Sequence, residues 1–154
     1  MKGILAIALV VAGSAQYTPQ DNAGMELEGL GRTCVALAVF SEARGEPIMG
    51  QVAIAEVVKA RAESADYPDD LCQVVQQSGQ FHGVRDWPRG VHPADIDAPA
   101  WELALQITDR VLLGHVQTEC AGATHFYAGK EPSWARGMTS ACGIGAHAFR
   151  GVSE

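Results

Sequence analysis

Two apolar stretches of helical period, LGRTCVALAVFSEAR (residues 30–44) and PIMGQVAIAEVVKARAE (47–63), are joined by Gly45 and Glu46 alone. In the first, apolar residues at 30, 34, 37, 38 and 40 fit a helix that is buried over most of its surface. In the second, Ile48, Val52, Ala55 and Val58 recur at three to four residues. Gly45 is a natural C-terminal stop and Pro47 suits the opening turn of the next helix, so the chain breaks between the two runs. The whole sequence has 154 residues and is 47% hydrophobic. That is enough for one domain that buries about two-thirds of the surface its unfolded chain exposes.

Beyond the pair, SADYPDD is a turn-rich loop in which Asp69 or Asp70 can cap a short helix, LCQVVQQ, ahead of Gly79. Residues 81–98 are irregular and carry His82, Trp87, Pro88, His92 and Pro93, a length that connections seldom reach unless they serve function. Asp97 and Pro99 then open an amphipathic helix, APAWELALQITDRVLLG, closed by Gly114. After it the period shortens. CAGATHFYAG and GIGAHAFRG alternate as two strands would, with KEPSWARGMTSA between them, placing Thr124 and Phe126 on one face and His125 and Tyr127 on the other. The expected class is α+β: four or so helices, with one small antiparallel hairpin near the C-terminus.

The N-terminus, MKGILAIALVVAGSAQ, has one basic residue, an apolar run from Ile4 to Val11, and Gly13 and Ala15 placed for cleavage before Gln16. This is the pattern of an export signal over residues 1–15, and the run is short for a permanent membrane anchor. Residues 16–29 lack periodicity and read as a flexible lead-in, leaving 30–154 as the folded domain. The net charge is −7. Loss of Lys2 with the signal leaves ten basic against eighteen acidic residues, or −8. A scattered basic minority on an acidic chain excludes nucleic acid as a partner. An exported chain with four cysteines suggests two disulfides, for which spacing alone allows three pairings. We expect Cys34–Cys72, tying two helices, and Cys120–Cys142, clipping the hairpin. Neither a Cys-x-x-Cys nor a His-Glu-x-x-His spacing occurs, so no metal and no cofactor is expected.

Glu42 and Glu46 flank the helix break. Glu42 falls in the last turn of a buried helix, where the helix dipole disfavours negative charge. An acid so placed holds its proton more tightly, the state needed to protonate a leaving oxygen. Its plain alternative is a surface acid paired with Arg32 or Arg44. Glu46, at the start of the next helix, reads as a cap.

Taken in order, FSEARGEP, GQVAIAEVV, YPDDLCQVV, QF, GATHFYA, PSWA and IGAHAF resemble the SleB-type cell wall hydrolases, the spore-cortex-lytic enzyme family. The resemblance runs from about Cys34 to Phe149. It implies a lysozyme-like domain that cuts peptidoglycan between N-acetylmuramic acid and N-acetylglucosamine. It further implies action as a lytic transglycosylase, with the glutamate of the E-A-R-G-E motif, Glu42, as acid and then base. Such a reaction needs one carboxylate, whereas ordinary glycosidases need two. Hydrolysis by Glu42 with Glu46, Asp69, Asp70 or Asp86 is the alternative, as are a non-catalytic peptidoglycan-binding protein and an amidase or peptidase that cuts the stem peptide with a metal or a nucleophile. For the glycan strand, stacking and amide contacts point to Gln80, His125, Tyr127 and Trp134, with Glu46 beside them. Phe81 and Phe126 suit the core, and His147 shares the pattern of His125. The chain departs from the family pattern at Ala60, before Arg61, and at His82, after QF. No wall-binding module is recognisable. The expected protein is a monomeric, exported enzyme without a stable membrane anchor, in a periplasm or outside the cell; spore germination, wall remodelling and an endolysin role are all consistent with it.

Overall fold

The computed structural model describes residues 19–138 and 142–151; the expected export signal lies outside them. Five helices precede three short strands: α1 (Pro19–Ala43), α2 (Ile48–Ala62), α3 (Leu71–Gln76), α4 (His82–Arg85), α5 (Pro93–Leu112), β1 (His125–Ala128), β2 (Cys142–Ile144) and β3 (His147–Arg150). The break between the first two helices falls as expected, with Gly45 in the left-handed region at φ 92°. Among the described residues, no helix is long and apolar enough to cross a membrane.

Helix α2 is the centre of the molecule. Residues 50 to 58 are buried without interruption, and α1, α3 and α5 pack around it. Phe40 of α1 fills one end of the core, edge-on to Trp87 at 5.6 Å and to Trp101 at 6.0 Å. At the other end Phe81, Phe126 and Phe149 join the helices to the sheet, with ring centroids 5.9 and 6.3 Å apart. The middle of α1 is bound to α5 by the two-pronged pair of Arg32 and Asp109, whose Nη2–Oδ2 contact is 2.8 Å. Both expected disulfides form. Cys34–Cys72 ties α1 to α3 with 5.2 Å between Cα atoms, and Cys120–Cys142 ties the loop before β1 to strand β2 with 5.6 Å.

Four expectations need correction, the last of them the role of Glu46. The stretch expected as a lead-in is helical from Pro19. Proline suits a first helical turn and residues 25–28 are good helix formers, so local propensity extends the helix where hydrophobic periodicity gives no signal. Helix α5 likewise opens at Pro93, earlier than Asp97. His92 and Asp95 cap that earlier start through bonds of 3.2 and 3.3 Å. Asp97, at φ −155° and ψ 86°, kinks the helix and accepts from the Ala100 N–H at 3.1 Å, so it caps a second segment within the same element.

The third correction concerns the sheet, which has three strands in the order β1-β3-β2, all antiparallel. The segment expected as one strand, GIGAHAFRG, contains the β2–β3 turn. Gly145 makes that turn at φ 61°. Glu46 explains why it occurs there: its Oε2 accepts the Ala146 N–H at 2.8 Å. A Cβ on Gly145 would collide with that same oxygen and stand 2.9 Å from Pro47 Cδ. Glu46 is therefore no cap for α2, whose N-cap is Pro47 without a side-chain hydrogen bond. It clamps the sheet to the helix break.

Candidate active site

Glu42 is half-buried in the last turn of α1, beside the start of α4. The Gly83 N–H donates to its Oε1 at 2.8 Å. Glycine permits that approach: a Cβ on residue 83 would lie 2.8 Å from Ser41 Cβ and 3.1 Å from Glu42 Oε1. Among the described residues Oε2 has no hydrogen-bond partner. The surface-pair alternative for Glu42 is not realised. Arg32 is occupied by Asp109, and Arg44 lies over the Phe40 ring at 4.6 Å.

Glu42 opens into a groove of about 640 Å³ whose lining includes Gln80, His125, Tyr127 and Trp134. Four of the five expected substrate residues thus converge on the expected acid. They come from elements far apart in sequence: α1, the loop before α4, strand β1, and the 3-10 turn Ser133–Ala135. Strand alternation explains the two β1 residues. His125 and Tyr127 face Trp134, at 5.5 and 5.8 Å between rings, while Phe126 meets Phe81 and Phe149 on the core side. Trp134 is 48% exposed, and so offers an open aromatic face.

Glu46, the fifth, does not line the groove. Its carboxylate is committed to Ala146, with His147 Nδ1 4.0 Å away. His147 also stays out of the groove, packed against Phe126 at 5.6 Å. The other acids weighed as partners for Glu42 have work elsewhere. Asp70 caps α3 through the Gln73 N–H at 2.8 Å, Asp86 pairs with Arg85 at 3.2 Å, and Asp69 lines a different surface near Arg32. Among the described residues, Glu42 is the one carboxylate that lines the groove.

Gly83, Arg61 and Lys130 also shape the site, and none of them stands out as a candidate in the sequence. Arg61 is only 2% exposed, and it falls on the apolar face of α2, four residues after Val57. A charge at a core position was the available signal. Its Nε donates to the Thr124 carbonyl at 2.7 Å, and its guanidinium lies 5.2 Å from both the Tyr67 and Phe81 rings. It thereby fixes the chain just ahead of His125, whose Nδ1 is 3.0 Å from Thr124 Oγ1. Burial pulls the Arg61 pKa below the usual arginine value, partly offset by Tyr67. Burial, and after it the Arg61 charge, pull the His125 pKa below the ordinary histidine value, so the ring is a neutral donor and acceptor at pH 7. Among the described residues no group of three or more His, Cys, Asp or Glu side chains is placed to hold a metal ion.

Residues 45–150 match the cell wall hydrolase family. That match begins just past Glu42. A spore cortex-lytic enzyme of Oceanobacillus iheyensis is 43% identical over 61 residues, 40% of this chain and 22% of that protein. One from Bacillus cereus is 37% identical over 79 residues, 48% of this chain and 30% of the relative. The aligned segments span less than a third of either relative. Among solved structures, the catalytic domain of the Bacillus cereus SleB protein is similar with a TM-score of 0.66 and 26% identity, covering 78% of this chain and 88% of that one. The catalytic domain of the germination-specific lytic transglycosylase SleB from Bacillus anthracis shares the fold, with a TM-score of 0.57 and 23% identity over 90% of this chain and 99% of that one.

Proposed function

The chain belongs to the cell wall hydrolase family, and from that premise we propose that it is a peptidoglycan glycosidase acting as a lytic transglycosylase, with Glu42 as its acid and base. The observation that carries this reading is that, among the described residues, Glu42 is the single carboxylate of a groove whose lining includes aromatic, amide, imidazole and cationic side chains. Hydrolysis with retention or inversion calls on a second carboxylate within about 5 to 10 Å of the first. A transglycosylase replaces that group with a hydroxyl of the substrate.

The steps follow from one acid. Glu42 gives its proton to the glycosidic oxygen as the bond from C1 of N-acetylmuramic acid breaks, and N-acetylglucosamine leaves with a new hydroxyl. The Glu42 carboxylate then takes the proton from the C6 hydroxyl of the same muramyl residue as O6 bonds to C1. A 1,6-anhydro ring closes and no water is consumed. Gly83 holds one carboxylate oxygen, which fixes the other towards the glycan. Trp134 and Tyr127 supply stacking faces, Gln80 an amide for an acetamido group, and neutral His125 a further hydrogen bond. Such a substrate places the protein outside the cytoplasmic membrane, in keeping with export directed by residues 1–15.

Mass spectrometry of soluble fragments from purified peptidoglycan tests the reading. Wild-type protein should release anhydromuramyl ends, and Glu42→Gln should release them at least about 100-fold more slowly. Reducing muramyl ends carrying oxygen from labelled water would replace transglycosylation with hydrolysis, and freed stem peptides would remove the glycosidase reading altogether.

A further inference from the structure

The groove's charge runs against that of the molecule. The chain carries −7 overall, yet in the groove Glu42 is outnumbered by two cations, Arg61 and Lys130. Two local arrangements keep those cations unneutralised. Glu131, next to Lys130 in sequence, is drawn away by Arg150, whose Nη2 reaches it at 3.0 Å and also bonds the Tyr127 hydroxyl at 3.0 Å. Among the described residues Lys130 has neither an ion pair nor a hydrogen bond. Arg61 is the second case: its Nε is used by a backbone carbonyl, and its buried Nη1 has no partner. A buried guanidinium without a counter-ion is expensive, and a lining made of such groups favours an anion in the groove.

We propose that the groove contains a carboxylate-binding subsite, with Lys130 as the contacting cation and Arg61 as a fixed positive charge in the same wall. Its ligand is a carboxylate on the muramyl arm of the glycan strand. The inference rests on the peptidoglycan reading above and adds the part of the substrate that the stacking residues do not address. Two chemical sources qualify. The lactyl group ends in a free carboxylate where the stem peptide is absent, and the stem peptide brings its own carboxylates where it is present. Lys130 lies in an exposed loop, so its replacement leaves the fold in place.

The test uses soluble glycan strands in two forms, peptide-bearing and peptide-stripped, each with its carboxylates intact or converted to methylamides. Wild-type kcat/KM should be about three- to tenfold higher on intact than on amidated strands, in keeping with a rim charge pair. Lys130→Gln should bring that ratio close to one, and Lys130→Arg should preserve it. A preference confined to peptide-bearing strands identifies the stem-peptide carboxylate, and one confined to stripped strands identifies the lactyl group. A wild-type ratio of one on both forms, with Glu42→Gln inactive, removes the subsite and leaves the glycosidase reading standing. A strong preference that survives in Lys130→Gln removes Lys130 from the subsite. If the wild-type protein cuts no strand of any form, the glycosidase reading falls and the subsite with it.

Discussion

Glu42 and Glu46 are four residues apart and have unrelated roles, because the helix break between them turns one towards the groove and the other towards the β2–β3 turn. The sequence showed the break, and with it that the two acids differ. It could not show that Glu46 meets Ala146 or that Glu42 meets Gly83, since both partners arrive only when distant segments pack. Removal of Glu42 as an acid should lower the rate of glycan cleavage by about 10²- to 10⁴-fold in Glu42→Gln, measured as fragment release at saturating substrate. Gly83→Ala probes the same carboxylate without replacing it. The added methyl must push α4 from Ser41, and misplacement on the order of 1 Å should lower kcat by up to about 100-fold while the far-ultraviolet spectrum stays that of the wild type. His125 gives a pH signature. Because its folded pKa is depressed by burial and then by Arg61, the unfolded chain takes up the proton first as pH falls. Stability is therefore lost from about the ordinary histidine value downwards through the folded pKa. In ring-proton NMR titrations, Arg61→Gln should raise the His125 pKa part of the way, since burial remains, and Arg61→Lys should leave it low. An unchanged value in Arg61→Gln would show that the guanidinium does not act on the ring.

Among the elements, helices α1 and α2 were legible because each carries its own period and its own stop. The sheet was only half legible. Strands of three and four residues separated by a two-residue turn leave too few positions for alternation to show. The turn is set by Glu46, whose partner Ala146 lies 100 residues further along the chain. Gly145→Ala should therefore destabilise the protein by more than the ordinary loss for a left-handed glycine, which is about 1 kcal/mol, because the methyl also displaces the Glu46 carboxylate. Glu46→Ala should lose the clamp without that collision, and calorimetry should rank it between Gly145→Ala and wild type. The reverse order would mean that the turn holds its shape unaided. Disulfide pairing was correctly anticipated from the elements that each bridge would join. With a sequence separation of 38 between its cysteines, Cys34–Cys72 closes a loop that constrains the unfolded chain by about 4 kcal/mol on the chain-entropy account. Cys34→Ser combined with Cys72→Ser should lower the melting temperature clearly, while the groove's β1 wall, held separately by Cys120–Cys142, keeps its geometry in the folded fraction.

For the molecule as a whole, net charge misdirects if it is read as the charge of the site. An acidic chain approaching an anionic wall polymer is repelled at long range, whereas Lys130 and Arg61 attract a carboxylate once it reaches the groove. The two effects differ in reach, so salt separates them. Between about 10 and 100 mM salt the screening length falls from about 30 to 10 Å, which removes long-range repulsion before it weakens a contact pair. The value of kcat/KM on intact peptidoglycan strands should therefore rise over that range by about two- to fivefold, then decline at higher salt as the Lys130 contact is screened in turn. The decline should flatten in Lys130→Gln, whereas the rise, which belongs to the net charge of −7, should persist. A rate that falls steadily from the lowest salt would mean that groove attraction governs encounter at every distance, and that the acidic remainder of the surface faces away from the polymer as it binds.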